Sequence, residues 1–132
     1  VTVRAGPPPA LVASGVPLPY HHLFDGIVPE QPTRPTISAT IRAIAKAVAM
    51  KRICRTKTHR DGEAWKGMVM IAESHISVHG RGRFAWLDVF SCQPFEKHDV
   101  VRVLERRLGG DWYAQDLRRW RGHEIARRKG LL

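Results

Sequence analysis

Between residues 75 and 79 apolar and polar side chains alternate without a break, with Ile76 and Val78 set against His75, Ser77 and His79. Successive side chains of a strand point to opposite faces, so this segment reads as a strand with one apolar and one polar face. Gly80-Arg81-Gly82 reads as a turn and Phe84–Phe90 as the next strand, which makes the two a hairpin. Just upstream, Met68-Val69-Met70-Ile71-Ala72 is a short continuous apolar run and suggests a buried strand.

Two other segments carry the helical period. From about Thr36 to Met50, Ile37, Ile41, Ile44, Ala45 and Val48 recur at spacings of three and four and form one apolar stripe. Pro35 suits the entrance of that helix, and Lys46, Lys51 and Arg52 lie near its end, where cations favour the dipole. From about Phe95 to Leu108, Val100, Val101, Leu104 and Leu108 form a second stripe, which Gly109-Gly110 stop. Tyr20–Val28, Lys51–Thr58 and Trp112–Trp120 read as further strands, with Arg60-Asp61-Gly62 as a turn. The order of strand, helix, several strands, helix and strand argues an α+β two-layer sandwich, an antiparallel sheet with two main helices on one face.

The chain has 132 residues, enough for one domain with one core. Eight of its nine prolines fall in the first 35 residues. Proline removes backbone donors, so residues 1–19 are expected to form a proline-rich disordered tail ahead of a single domain over 20–132. No apolar run reaches the roughly 18 residues of a membrane span, and the start lacks the pattern of a secretory signal. Two cysteines, Cys54 and Cys92, are too few for a disulfide scaffold or a four-cysteine zinc site, and suggest a reduced, cytoplasmic setting. A net charge of +10 favours anionic partners but does not choose between a small enzyme and an RNA-binding module.

On spacing alone, His75, Ser77 and His79 share one strand face. Two histidines there are candidate metal ligands, but a tetrahedral site needs more, and no metal is expected. A serine beside a histidine is a candidate activated nucleophile. A polar sheet face in contact with water is the reading without chemistry.

The ordered segments Glu73-Ser74-His75-Ile76-Ser77-Val78-His79 and Asp88-Val89-Phe90-Ser91-Cys92 resemble the S-adenosylmethionine decarboxylases of the short prokaryotic type. A looser resemblance covers about residues 20–125, including His22-Leu23 and Arg121-Gly122. The resemblance implies a proenzyme that makes its own cofactor. The Ser74 hydroxyl attacks the carbonyl of Glu73, and an ester replaces the amide. Elimination and hydrolysis then leave chains 1–73 and 74–132, the second beginning with a pyruvoyl group. It further implies that His79 is the processing base, and that the pyruvoyl forms a Schiff base with the substrate amine. Cys92 then protonates the carbon from which carbon dioxide leaves. The implied role is S-adenosylmethionine decarboxylation for spermidine, a polyamine. The implied assembly is a homo-oligomer of cleaved protomers, with residues of a neighbour near the site. Cys54 matches no functional position.

The sequence departs from the family pattern in three places. The family continues His-Thr-Trp-Pro-Glu where this chain has Gly80-Arg81-Gly82-Arg83 after His79, and the loop is shorter. Lys66 stands where a family serine assists processing, and an aromatic residue expected near Arg60 is missing. Ornithine or arginine is therefore the alternative substrate. Asp61, Glu63 and Asp88 are the acids available to a cationic amino acid. The rival of another class is a basic nucleic-acid-binding module. Its support is the charge, the two arginines of the Gly80–Arg83 loop, the basic end over 118–129, and Trp65, Trp86, Trp112 and Trp120 interleaved with cations. Nucleic acid is the less favoured partner, because no aromatic RNA-binding motif is present and Trp86 falls on the hairpin expected to be buried.

Overall fold

The computed structural model describes residues 19–72, 74–117 and 122–131. The proline-rich segment through residue 18, Glu73, Arg121 and the expected strand residues Arg118–Trp120 lie outside these.

Six strands form one antiparallel sheet: β1 (Tyr20–Ile27), β2 (Lys57–Asp61), β3 (Ala64–Ile71), β4 (Ser74–Arg81), β5 (Phe84–Ser91) and β6 (Asp111–Asp116). Their spatial order is β2-β3-β4-β5-β1-β6. Helix α1 (Arg34–Ala47) carries the chain from β1 to the far edge at β2, and α2 (Lys97–Arg107) carries it from β5 to β6. Both helices pack on one face, which gives the expected two-layer α+β sandwich. A short third helix, α3 (Gly122–Arg128), takes up much of the basic end. No helix among the described residues is long and apolar enough to cross a membrane.

The core follows from the two periods. Ile37, Ile41, Ile44 and Ala45 of α1 and Val100, Val101, Val103 and Leu104 of α2 are buried. They meet Phe24, Trp65, Val69, Ile71, Ile76, Val78, Leu87, Val89 and Trp112 of the sheet in one cluster. The start of α1 is set by Thr33, whose hydroxyl accepts the Thr36 N–H at 3.3 Å, with proline in the first turn. The helix ends earlier than the sequence suggests, because Ala49 adopts a left-handed φ of 56° and turns the chain. Gly109 and Gly110, at φ 71° and 81°, stop α2 as expected. A Cβ on Gly67 would come within 2.6 Å of Ile37 Cγ2, so this bare position in β3 seats α1 on the sheet.

Four expectations are corrected. The strand predicted over Lys51–Thr58 begins only at Lys57. Before it, Arg52 makes an isolated bridge to Ile71, and the Met70 N–H donates to the Cys54 thiol at 3.3 Å, so a side chain takes a donor that a neighbouring strand would use. The run Met68–Ala72 is buried on one side only: Val69 and Ile71 enter the core, whereas Met68 and Met70 are half exposed. The hairpin turn, expected over Gly80-Arg81-Gly82, lies at Gly82-Arg83, because Gly80 and Arg81 stay in β4, with Gly80 against the Trp65 ring. Trp86 is 37% exposed rather than buried with the hairpin.

Candidate functional site

Among the described residues, no helix or strand is seen to cover the face of the sheet away from α1 and α2. Strand parity places on it Met68 and Met70 of β3, His75, Ser77 and His79 of β4, and Trp86, Asp88 and Phe90 of β5. It also places there His21 and Asp25 of β1 and Tyr113 and Gln115 of β6. The polar face read from the alternation is thus the open face of the whole sheet. Ile76 and Val78 point to the core as expected.

Ser74 is the first residue of β4 and stands opposite Ile71 on one side and Ser91 on the other. Cys92 directly follows Ser91, so strand register brings Ser74 and Cys92 to the same end of the sheet. Cys92 is exposed and free. A cavity of about 560 Å³ opens beside Ser74, bounded by Ile53, Met68, Met70, His75 and Ser77 among others. That is within the range of small-molecule sites.

His79 is not brought to Ser74 within one chain. Five residues of one strand, at roughly 3.3 Å each, separate them by about 16 Å. His79 instead stacks on Trp86 (ring centroids 5.5 Å apart, planes 22° apart) and lies across from Lys66. A second cavity of about 290 Å³ adjoins His79, Lys66 and Lys57, and it shares Met68 and Ser77 with the one beside Ser74. The two hollows therefore lie side by side along the open face.

At the Ser74 end the structure also assembles a cluster that spacing did not reveal. The Asp88 carboxylate oxygen Oδ1 lies 2.8 Å from His21 Nε2 and 3.7 Å from His75 Nε2. The Phe90 ring fits between the two imidazoles. His75 stacks on it (5.7 Å, 8°), and His21 meets its edge (5.2 Å, 73°). The His75 Nδ1 lies 3.4 Å from Ser74 Oγ. Beside this cluster, Gln115 donates to Asp25 at 3.2 Å. Alternation in β1 from Tyr20 onward would have put His21 on the polar face, but its meeting with Asp88 depends on β1 pairing with β5 across a long sequence separation. No group of three or more His, Cys, Asp or Glu able to hold a metal ion occurs among the described residues.

The features set out for nucleic-acid binding are scattered. Trp65 and Trp112 are core residues whose ring N–H groups donate to Gly82 O and Gly109 O, at 3.0 and 2.9 Å. Trp120 lies outside the described residues. Arg83 is tied to Val28 O at 2.8 Å, and Arg81 sits 3.9 Å from Glu63. Of the three acids considered for a cationic substrate, Glu63 faces Arg81 and Asp61 ends the edge strand, whereas Asp88 stands in the cluster.

A comparison with curated proteins finds no match. The family model for S-adenosylmethionine decarboxylase matches residues 33–119, more than half of the chain, and spans α1, the four strands β2–β5, α2 and β6. With the fold and the end-of-strand placement of Ser74 and Cys92, that match assigns the chain: it belongs to the S-adenosylmethionine decarboxylase family.

Proposed function

We propose that the chain is a proenzyme that cuts itself between Glu73 and Ser74, and that its 74–132 product, headed by a pyruvoyl group made from Ser74, decarboxylates S-adenosylmethionine for spermidine synthesis. The observation that supports this reading is the register of Ser74 with Ser91, which puts Cys92, the next residue, at the same end of the sheet as Ser74, where Ser74 borders a substrate-sized cavity. The residues fit a pyruvoyl group. Ser74 is the first residue of its strand, and β3 and β5 hold that strand from both sides, so a new chain end there leaves the sheet intact. The pyruvoyl supplies a carbonyl for the substrate amine and a sink for electrons as carbon dioxide leaves. Cys92, exposed and one residue beyond Ser91, holds the proton for the decarboxylated carbon. Met68, Met70 and Ile53 offer apolar walls beside Ser74 for the apolar part of a substrate.

His79 enters this scheme from a second copy. It lies too far along β4 to serve its own Ser74, and the open face carries Met68, Met70, Phe84, Trp86 and Tyr113 at 37–57% exposure. Soluble monomers rarely leave so much apolar surface together, and sheets pack face to face about 10 Å apart. Two copies packed through this face would bring His79 and Lys66 of one toward Ser74 of the other.

Ornithine or arginine is the second reading of the substrate. It is favoured by the loop after His79, which is a two-residue turn with no room for the family's Trp-Pro-Glu. The test supplies S-adenosylmethionine, ornithine, arginine and lysine separately to cleaved protein and measures released carbon dioxide. Release from S-adenosylmethionine is expected. Release from ornithine or arginine alone would replace the substrate, and release from none would remove the decarboxylase reading.

A further inference from the structure

We infer that His75, held by Asp88, is the catalytic base that starts self-cleavage. The inference rests on the self-cleaving reading above and adds a residue to which that reading gives no task. Ser74 Oγ, the His75 ring and the Asp88 carboxylate form a line: 3.4 Å from oxygen to Nδ1, then 3.7 Å from Nε2 to Oδ1. The order is that of a nucleophile, a base and a group that orients the base. Both spacings exceed a formed hydrogen bond, as often happens before a reacting complex tightens.

Two neighbours hold the ring where this line needs it, and a third residue fixes one of them. Its flat face stacks on Phe90. Its far nitrogen faces a carboxylate, which favours the tautomer with the proton on Nε2 and leaves the Nδ1 lone pair for the serine. His21, 2.8 Å from the same carboxylate oxygen, anchors Asp88 from the other side. Asp88 and His21 are positioning residues, since neither touches the reacting atoms. Within the same chain His79 lies about 16 Å away along the strand, so His75 is the imidazole at the serine.

The step balances without any further reactant. As Ser74 Oγ bonds to the Glu73 carbonyl carbon, its proton passes to His75 Nδ1. The tetrahedral carbon then loses its bond to the Ser74 nitrogen, which takes the proton back from His75. An amide has become an ester, and the base is regenerated.

The test follows cleavage of the full chain on denaturing gels for wild type, His75→Ala, His75→Gln and Asp88→Asn. The uncut chain of each is then denatured and treated with hydroxylamine, which cuts esters and leaves amides. Both His75 variants are expected to cleave at least about 10²-fold more slowly, the usual loss with a positioned base. Their uncut chains should resist hydroxylamine, because the block precedes the ester. Added imidazole should restore cleavage in His75→Ala, which a misfolded variant would not allow, and Asp88→Asn should fall between wild type and His75→Gln. Wild-type rates in both His75 variants would overturn the inference while leaving self-cleavage standing. So would an uncut chain that hydroxylamine splits, which would place His75 after the acyl shift. A wild type that never cleaves would overturn the self-cleaving reading and this inference with it.

Discussion

Ser74 and Cys92 were legible as a pair because each sits in a contiguous motif, and a motif needs no knowledge of the fold. What the motif could not show is why they come to the same end of the sheet. That comes from Ser74 pairing with Ser91, a consequence of the two-residue turn between β4 and β5. The role of Cys92 is open to a direct test. Cys92→Ala should cleave at the wild-type rate yet decarboxylate about 10²–10⁴-fold more slowly, the range for a lost proton donor. Unchanged turnover would return Cys92 to an ordinary exposed thiol. Ser74→Ala should remain one chain on denaturing gels, since the attacking oxygen is gone, and any cleavage in that variant would place the cut elsewhere. The His21–Asp88–His75 cluster was not legible, because its members come from three strands and only the pairing of β1 with β5 and of β5 with β4 sets them together.

The two helices and the β4–β5 hairpin were legible at the scale of elements, because each carries one clean period over many residues. Around β2 and β3 the sequence misled. In Met68–Ala72 every residue is apolar, so period two was invisible, and the methionines that line the open face looked like core. Residues 51–56 are rich in strand-compatible side chains, yet the Cys54 thiol occupies the Met70 N–H and delays regular pairing until Lys57. Gly80 looked like part of a turn, although its role is close packing. A Cβ there would run into the Trp65 ring and crowd Phe84 O at 2.6 Å. Gly80→Ala is therefore expected to lower unfolding stability by about 1–3 kcal/mol, the usual range for overpacking, as read from a urea melt. Gly82→Ser, at a turn position with open space but a left-handed φ of 56°, should cost less. The reverse order would mean that Gly80 does not pack as the structure has it.

For the whole molecule, the question is what covers the open face. Helices shield one side of the sheet and leave Met68, Met70, Phe84, Trp86 and Tyr113 exposed on the other. The proposed self-associating face would account for that surface and would let His79 of one copy serve Ser74 of another. Phe84→Glu, at the end of β5 away from Ser74, should then shift the protein toward monomer in sedimentation and slow cleavage as well, since it would separate His79 of one copy from Ser74 of the other. A wild-type protein that is monomeric and still cleaves would remove the second copy from the scheme. Whether this chain makes its own catalytic group at Ser74, as proposed, is decided by the intact mass of the purified wild-type protein. Two chains are expected, ending at Glu73 and starting at residue 74, with the second lighter than a simple hydrolysis product by the mass of one ammonia. A single uncut chain after long incubation, or a second chain with an ordinary serine at its start, would mean that Ser74 does not become a pyruvoyl group.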